Sequence, residues 1–363
     1  MSPSPDSIEA VSQRLNTFLT ARRHEARELG AEAGLLVATA ADALHGGKRL
    51  RARFCLTGWR AVASPRAGSP TPADVVGAAA ALEIFHAAAL VHDDLIDNSD
   101  TRRGRPAAHR RLEADHRRQS WHGDAAAFGR SGAVLLGDLL VAWSDDLLEE
   151  AIAATAPDRA VATRAAYARM RRDVTIGQFL DVAEESAFST QPDADHAERA
   201  LRIASLKSAR YSIQQPLLIG AALAGADPEQ EDALSAFGHP VGMAFQLRDD
   251  VLGVFGDASV TGKPSGDDLR EGKRTVLVAF AREELSPGAR RVFDELLGDP
   301  TLEEEQIASL QRTIRDTGAL QRTEELISAY AHEADRALSG ARLDNAAVGE
   351  LRDLARAATT RTS

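Results

Sequence analysis

The stretch VVGAAAALEIFHAAALV, residues 75–91, runs straight into the acidic segment HDDLID. It is rich in alanine and lacks the apolar–polar alternation of a strand, so it reads as a buried helix. It falls short of the ~20 residues that span a bilayer, and it carries Glu83 and His86. A protein core suits it better than a membrane. Such a helix can be buried only if other helices wrap around it. Its far end must then accommodate three carboxylates, because Asp93 and Asp97 share one helix face and Asp94 sits beside them.

The rest of the chain has the same character. Helix formers dominate, and the spacing predicts helices over 7–29, 32–44, 48–64, 72–98, 106–119, 130–153, 157–186, 195–225, 228–256, 272–285, 301–316, 318–338 and 345–359. Breaks are expected at SPRAGSPTP (64–72), GADPEQ (225–230), SPGA (286–289) and GDPT (298–301). No long linker or fixed-period repeat interrupts the pattern. The expectation is one all-α domain over 1–363, a large helical bundle with frayed ends. Its 363 residues, 44% of them apolar, are enough for a large core.

Charge and cysteine usage narrow the function. A net charge of −11 argues against a general binder of nucleic acid or anionic membrane. Cys55, the single cysteine, cannot form an internal disulfide, which fits a reducing cytoplasm. Within RFCLTGW it reads as a core residue rather than a nucleophile. The opening MSPSPDSIEAVSQRL has no apolar region of the secretory kind.

Clustered carboxylates suit hard cations such as Mg2+, which keeps waters and is completed by substrate phosphates. Taken alone, Asp93, Asp94 and Asp97 fit a solvated helix end equally well. A second cluster changes the balance. FQLRDDVLGVFGD places Asp249 and Asp250 at the end of another long apolar helix, and TGKPSGDDLREGK follows with Lys263, Asp267, Asp268 and Lys273. Two acid pairs facing each other across a bundle could hold several Mg2+ ions around a diphosphate.

The basic residues agree with an anionic ligand. HGGKRLRARF offers Lys48, Arg49 and Arg51 at a predicted helix start, where free N–H groups favour phosphate. Arg102 and Arg103 follow the first cluster, and arginine forks match phosphate oxygens. Lys207 stands alone in SLKSARYS. His86 lies two turns before Asp93 on the same face, where a core histidine is the default.

GGKRLR, HAAALVHDDLIDNSDTRRG, GQFLD, LKS, FQLRDDVLGVFGD and GKPSGDDLREGK occur in an order and spacing that resemble the trans-isoprenyl diphosphate synthases, the polyprenyl synthetase family. The likeness spans about residues 46–275 and implies the isoprenoid synthase type I fold, helices around a central cavity. It implies Mg2+ bound by Asp93, Asp94, Asp97, Asp249 and Asp250. It places isopentenyl diphosphate on Lys48, Arg51, His86 and Arg103. The allylic diphosphate falls to Arg102, Lys207, Ser208, Gln246, Lys263 and Lys273, with Lys207 and Gln246 also near the chemistry. Gln178 and Asp181 would line the reacting centre. A homodimer is implied as well.

The implied reaction is ionisation of the allylic diphosphate, attack by the isopentenyl double bond and loss of a proton, extending a trans chain by C5. Two departures stand out. The family's second motif usually ends in a third aspartate, where this chain has Gly253, although Asp257 and Asp267 follow closely. Ser208 replaces a threonine and keeps its hydroxyl. In this family bulky residues before the first motif stop chain growth; Ala88 and Ala89 would let a chain pass, and Phe85 or Ile84 would form a floor near C20. That points to geranylgeranyl diphosphate. Another chain length, or a non-catalytic subunit of a heteromeric synthase, is the alternative; a terpene cyclase lacks support because no NDxxSxxxE-type site is present.

Overall fold

The computed structural model describes residues 5–64, 72–257 and 265–359. Close approach between helices organises it, and small residues permit that approach. Gly58 on α3 (Leu50–Ala63) and Gly220 on α9 (Gln215–Ala224) each leave room for the other helix's backbone. A Cβ on Gly58 would collide with the Leu217 carbonyl, and one on Gly220 with that of Cys55.

The alanine-rich stretch is α4 (Ala73–Ile96), with Val75, Ala78, Leu82, Ile84 and Ala88 fully buried. It packs most extensively on α6 (Ala125–Ile152), with α1 (Pro5–Leu29) and α3 alongside. Both α4 and α6 are long and apolar enough to cross a membrane, but the most apolar window of α4 is 78% buried and that of α6 only 28%. So α4 is a core helix, whereas α6 keeps an apolar face outward, with Phe128, Val134 and Leu135 exposed.

Around these lie α2 (Ala31–Ala43), α5 (Ala108–Arg118), α7 (Pro157–Ala187), α8 (His196–Ile203) and α10 (Pro228–Phe255). Beyond them, α11 (Asp267–Glu271), α12 (Val276–Glu284), α13 (Pro287–Leu296), α14 (Glu304–Asp316) and α15 (Ala319–Ala337) form a second apolar cluster against α10, and α16 (Asn345–Thr359) packs on α3 and α10. Strands are limited, among the described residues, to the hairpin β1 (Thr101–Arg102) and β2 (Arg105–Pro106).

Several expectations needed correction. The helix expected over 195–225 is three pieces: α8, a π-helical segment Ala204–Gln214, and α9. Glycines press on that segment from both sides. A Cβ on Gly177 of α7 would collide with the Lys207 amide nitrogen, and one on Gly242 of α10 with the Ala209 carbonyl. SPGA starts α13 rather than simply breaking the chain, because the Ser286 hydroxyl accepts from the Ala289 N–H and Pro287 takes the first turn. Likewise Asp124 caps α6, which begins five residues before the expected 130. The break expected at 64–72 falls mostly outside the described residues, as does Lys263.

Candidate active site

Helix α4 ends at Ile96, and the chain turns at once into the β1–β2 hairpin. The two-residue turn Arg103–Gly104 has φ of 53° and 71°, the positive values that tight hairpins require. The hairpin sends its two arginines to different places. Arg102 folds back on the acids: its Nε donates to Asp94 Oδ1 at 2.7 Å, and Nη2 reaches the same oxygen and lies 3.4 Å from Asp93 Oδ2. Arg103 lies against Gly47 and donates to the His45 carbonyl at 3.1 Å.

Asp93 faces α7 and the π segment. Its Oδ1 accepts from Gln178 Nε2 at 3.2 Å and lies 3.4 Å from Lys207 Nζ, which donates to Asp181 Oδ2 at 2.6 Å. Burial would raise the Asp93 carboxyl, but Lys207, Lys273 and Arg102 outweigh it and hold it below the usual range. Asp94 is buried and pushed up, burial prevailing over Arg102. Asp97 is pushed up by burial and then by Asp93.

The second cluster sits near the end of α10. Asp250 is buried, accepts from Gln246 Nε2 at 2.6 Å, and is pushed up to about 8 by burial and then by Asp268. Asp249 is half-buried beside it. The two clusters face each other through Lys273, whose Nζ lies 2.6 Å from Glu271, 3.5 Å from Asp97 and 3.8 Å from Asp268.

A basic pocket opens at the start of α3. Arg51 is buried, donates to Ser212 Oγ at 2.8 Å, and stacks 4.0 Å from the Tyr211 ring centroid. The Tyr211 hydroxyl lies 3.0 Å from His86 Nδ1. Burial, then Arg51, Arg103, Arg102 and Arg49, hold His86 well below its usual pKa, so it is neutral among cations. Lys48 is exposed at the rim. The helix start itself is less open than the sequence suggested: Glu83 accepts the Ala52 N–H at 3.1 Å and pairs with Arg49 at 3.3 Å. Glu83 therefore takes up one of the first-turn amides and part of the Arg49 charge.

Among the described residues, the expected ones lie in one region, Ser208 half-buried beside Lys207 among them, while Lys263 lies outside the described residues. It adds others for which the sequence held no local signal. Tyr211 and Tyr167 meet Phe85 edge to face, at 5.9 and 6.3 Å between centroids. Glu185, one turn beyond Asp181 on α7, is pushed up to about 7 by partial desolvation and then by Asp181 and Asp97. The carboxylate standing at Gly253 is that of Asp268, not Asp257 or Asp267. A cavity of about 390 Å³ lies between α2, α4, the hairpin and α5, lined by Asp42, Leu90, Asp94, Arg102, Arg103 and Arg111 among others.

The donor set fits a hard divalent ion. All the clustered ligands are carboxylate oxygens, and burial strains the charge of Asp94, Asp97 and Asp250, which a dication would relieve. Among the described residues no three acidic, histidine or cysteine groups converge into a metal site of their own.

Comparison with known proteins points the same way. The polyprenyl synthetase family model matches residues 35–314. The chain is 32% identical over 295 residues to the geranylfarnesyl diphosphate synthase of Aeropyrum pernix, covering 81% of this chain and 83% of that one. It is 32% identical over 294 residues to the geranylgeranyl diphosphate synthase of Methanosarcina mazei, covering 81% and 79%. It superposes with a TM-score of 0.91 and 39% identity on the geranylgeranyl pyrophosphate synthase of Corynebacterium glutamicum, solved with isoprenyl diphosphate and magnesium, covering 98% and 99% of the two chains.

Proposed function

The chain belongs to the polyprenyl synthetase family and is a trans-prenyl diphosphate synthase; on that premise we propose that it makes mainly geranylgeranyl diphosphate, with Mg2+. The observation that carries the C20 product is the Phe85 ring, backed by Tyr167 and Tyr211. Phe85 lies eight residues before Asp93, about 12 Å down the helix at ~1.5 Å per residue. Ala89, between them, leaves the way open.

The residues divide the reaction between them. Lys207, Arg102, Gln246 and Lys273 grip the allylic diphosphate next to the two acid clusters, with Lys263 and Ser208 completing that grip. Lys48, Arg51, Arg103 and neutral His86 hold isopentenyl diphosphate. Bound Mg2+ supplies charge stabilisation for the departing pyrophosphate. The allylic C–O bond breaks, the isopentenyl double bond attacks the resulting cation, and a proton leaves to give the longer trans chain. Gln178 and Asp181 border the reacting carbons, and positioning supplies most of the remaining acceleration.

A cytoplasmic homodimer belongs to the same proposal. Its support is the outward apolar face of α6 and α7, where Leu135 is 62% and Phe179 69% exposed. Incubating purified enzyme with Mg2+, isopentenyl diphosphate and C5, C10 or C15 primers, with product masses read by mass spectrometry, tests the activity. A C20 product is expected; mainly C30 or longer chains would overturn the length assignment.

A further inference from the structure

Only two residues, Lys273 and Arg274, separate Gly272, which ends α11 at φ of 75°, from Thr275, whose hydroxyl caps α12. Their side chains part. Lys273 reaches the acids Glu271, Asp97 and Asp268. Arg274 reaches α7 and α13 instead. Its guanidinium carbon lies 3.4 Å from the centroid of the Phe188 ring, and its Nη1 donates to Asp294 Oδ1 at 2.8 Å. The Arg274 side chain is only 11% exposed, so both contacts are made largely out of water.

The Lys273 ammonium is a point charge on a flexible stem. Acids attract it from α4 on one side and from α11 on the other, so its ion pairs alone do not fix where it stands. The backbone beneath it does. On the α11 side that backbone is tied by the Lys273 N–H, which donates to the Asp268 carbonyl at 3.1 Å. The tie on the far side is Arg274. Phe188 caps the end of α7, the helix that carries Gln178 and Asp181. Arg274 therefore joins the segment bearing Lys273 to the helix bordering the other part of the site. An arginine suits this place, since one planar guanidinium can stack on a ring and donate to a carboxylate at the same time. Asp294 does not depend on it, because Arg282 donates to both Asp294 oxygens, at 2.8 and 2.9 Å. Losing Arg274 would leave no buried carboxylate stranded.

Resting on the placement of Lys273 at the allylic diphosphate above, we propose that Arg274 is a positioning residue for Lys273. Held between Phe188 and Asp294, it fixes the segment 272–275 against the end of α7 and so sets the ammonium between the two acid clusters. Arg274 touches neither substrate; it acts only through its neighbour.

Steady-state kinetics of the full-length enzyme test this, with the allylic and isopentenyl diphosphates varied in turn and melting temperatures measured alongside. Arg274→Met keeps the apolar stem and loses the planar fork. It should raise the allylic KM or lower kcat by roughly 10- to 100-fold and leave the isopentenyl KM near wild type. Placed in a Lys273→Ala background, the same substitution should add no more than about twofold, because the ammonium that Arg274 positions is gone. A merely structural Arg274 would cost the same factor in both backgrounds, and that additivity overturns the proposal. Wild-type kinetics in folded Arg274→Met overturn it too. Should Arg274→Met fail to fold, Phe188→Leu, which removes the ring from the other side of the contact, goes through the same comparison and decides. Lys273→Ala that left the allylic KM and kcat unchanged would bring down the placement of Lys273 itself, a failure of the underlying reading rather than of the Arg274 contact.

Discussion

The rings of Phe85 and Tyr167 meet edge to face, 6.3 Å between centroids at an interplanar angle of 70°. Phe85 comes from α4, which carries the first acid cluster, and Tyr167 from α7, which carries Gln178 and Asp181. This contact therefore ties the helix of the first acid cluster to the helix of Gln178 and Asp181, and on the proposed function it closes the path of the growing chain.

Product length should follow those rings. Phe85→Ala is expected to extend the product to C25 or beyond, and Tyr167→Ala, made in that background, to extend it further. Ala89→Phe, four residues from both Phe85 and Asp93, should shorten it to C15. Ala88→Phe is a weaker probe, since Ala88 is fully buried and a ring there overpacks the core. Mass spectrometry of the prenyl alcohols reads the outcome; unchanged length in both Phe85→Ala and Ala89→Phe would defeat the assignment.

Asp93→Ala should cut turnover by several orders of magnitude while the far-ultraviolet circular dichroism stays that of the wild type. The substitution removes one carboxylate of the first cluster and an anchor for Lys207. EDTA should abolish wild-type activity, and Mg2+ should restore it. Turnover that survived both treatments would rule out a metal-dependent reaction.

The two diphosphate sites should separate kinetically. Lys48→Ala, at the rim, is expected to raise the KM for isopentenyl diphosphate roughly ten- to hundredfold with a modest effect on the allylic substrate. Lys207→Ala should lower kcat or raise the allylic KM, because Lys207 lies between Asp93 and Asp181. Identical effects of both variants on both substrates would show that the sites are wrongly divided.

Gly177→Ala should push the π segment off α7, since the new Cβ meets the Lys207 backbone nitrogen, an atom that cannot swing aside. Overpacking of this kind costs about 1–3 kcal/mol and should reduce kcat by moving Lys207. Gly34→Ala in α2, where a Cβ meets nothing within 4 Å, is the control and should leave both stability and kcat near wild type. Equal melting temperatures and rates for the two variants would contradict this packing.

Asp250 gives a pH dependence with a definite sign. Its carboxyl is pushed up to about 8 by burial and then by Asp268, whereas in the unfolded chain it titrates near ~3.9. Between these values the folded state binds a proton that the unfolded chain has released, so this group's contribution to stability falls as pH rises. In metal-free enzyme the melting temperature of wild type should therefore drop relative to Asp250→Asn between pH 5 and pH 8. A difference that stayed constant across that range would refute the shift.

Much of this protein was legible along the chain. The alanine-rich run before Asp93 could only be a buried helix, and two acid clusters at helix spacing announced hard-cation and diphosphate chemistry, because both signals lie within a few turns of one element. Start signals such as Ser286–Pro287 were legible too, though easily read as breaks. What tertiary structure alone decided depends on residues far apart in sequence meeting in space. It set Tyr167 against Phe85, put Glu83 on the α3 helix start, and turned α8–α9 through a π segment pinned by Gly177 and Gly242. It also brought Asp268 to the face left bare by Gly253, fifteen residues earlier. Local periodicity shows which side of a helix a residue occupies, but only packing determines what stands opposite it.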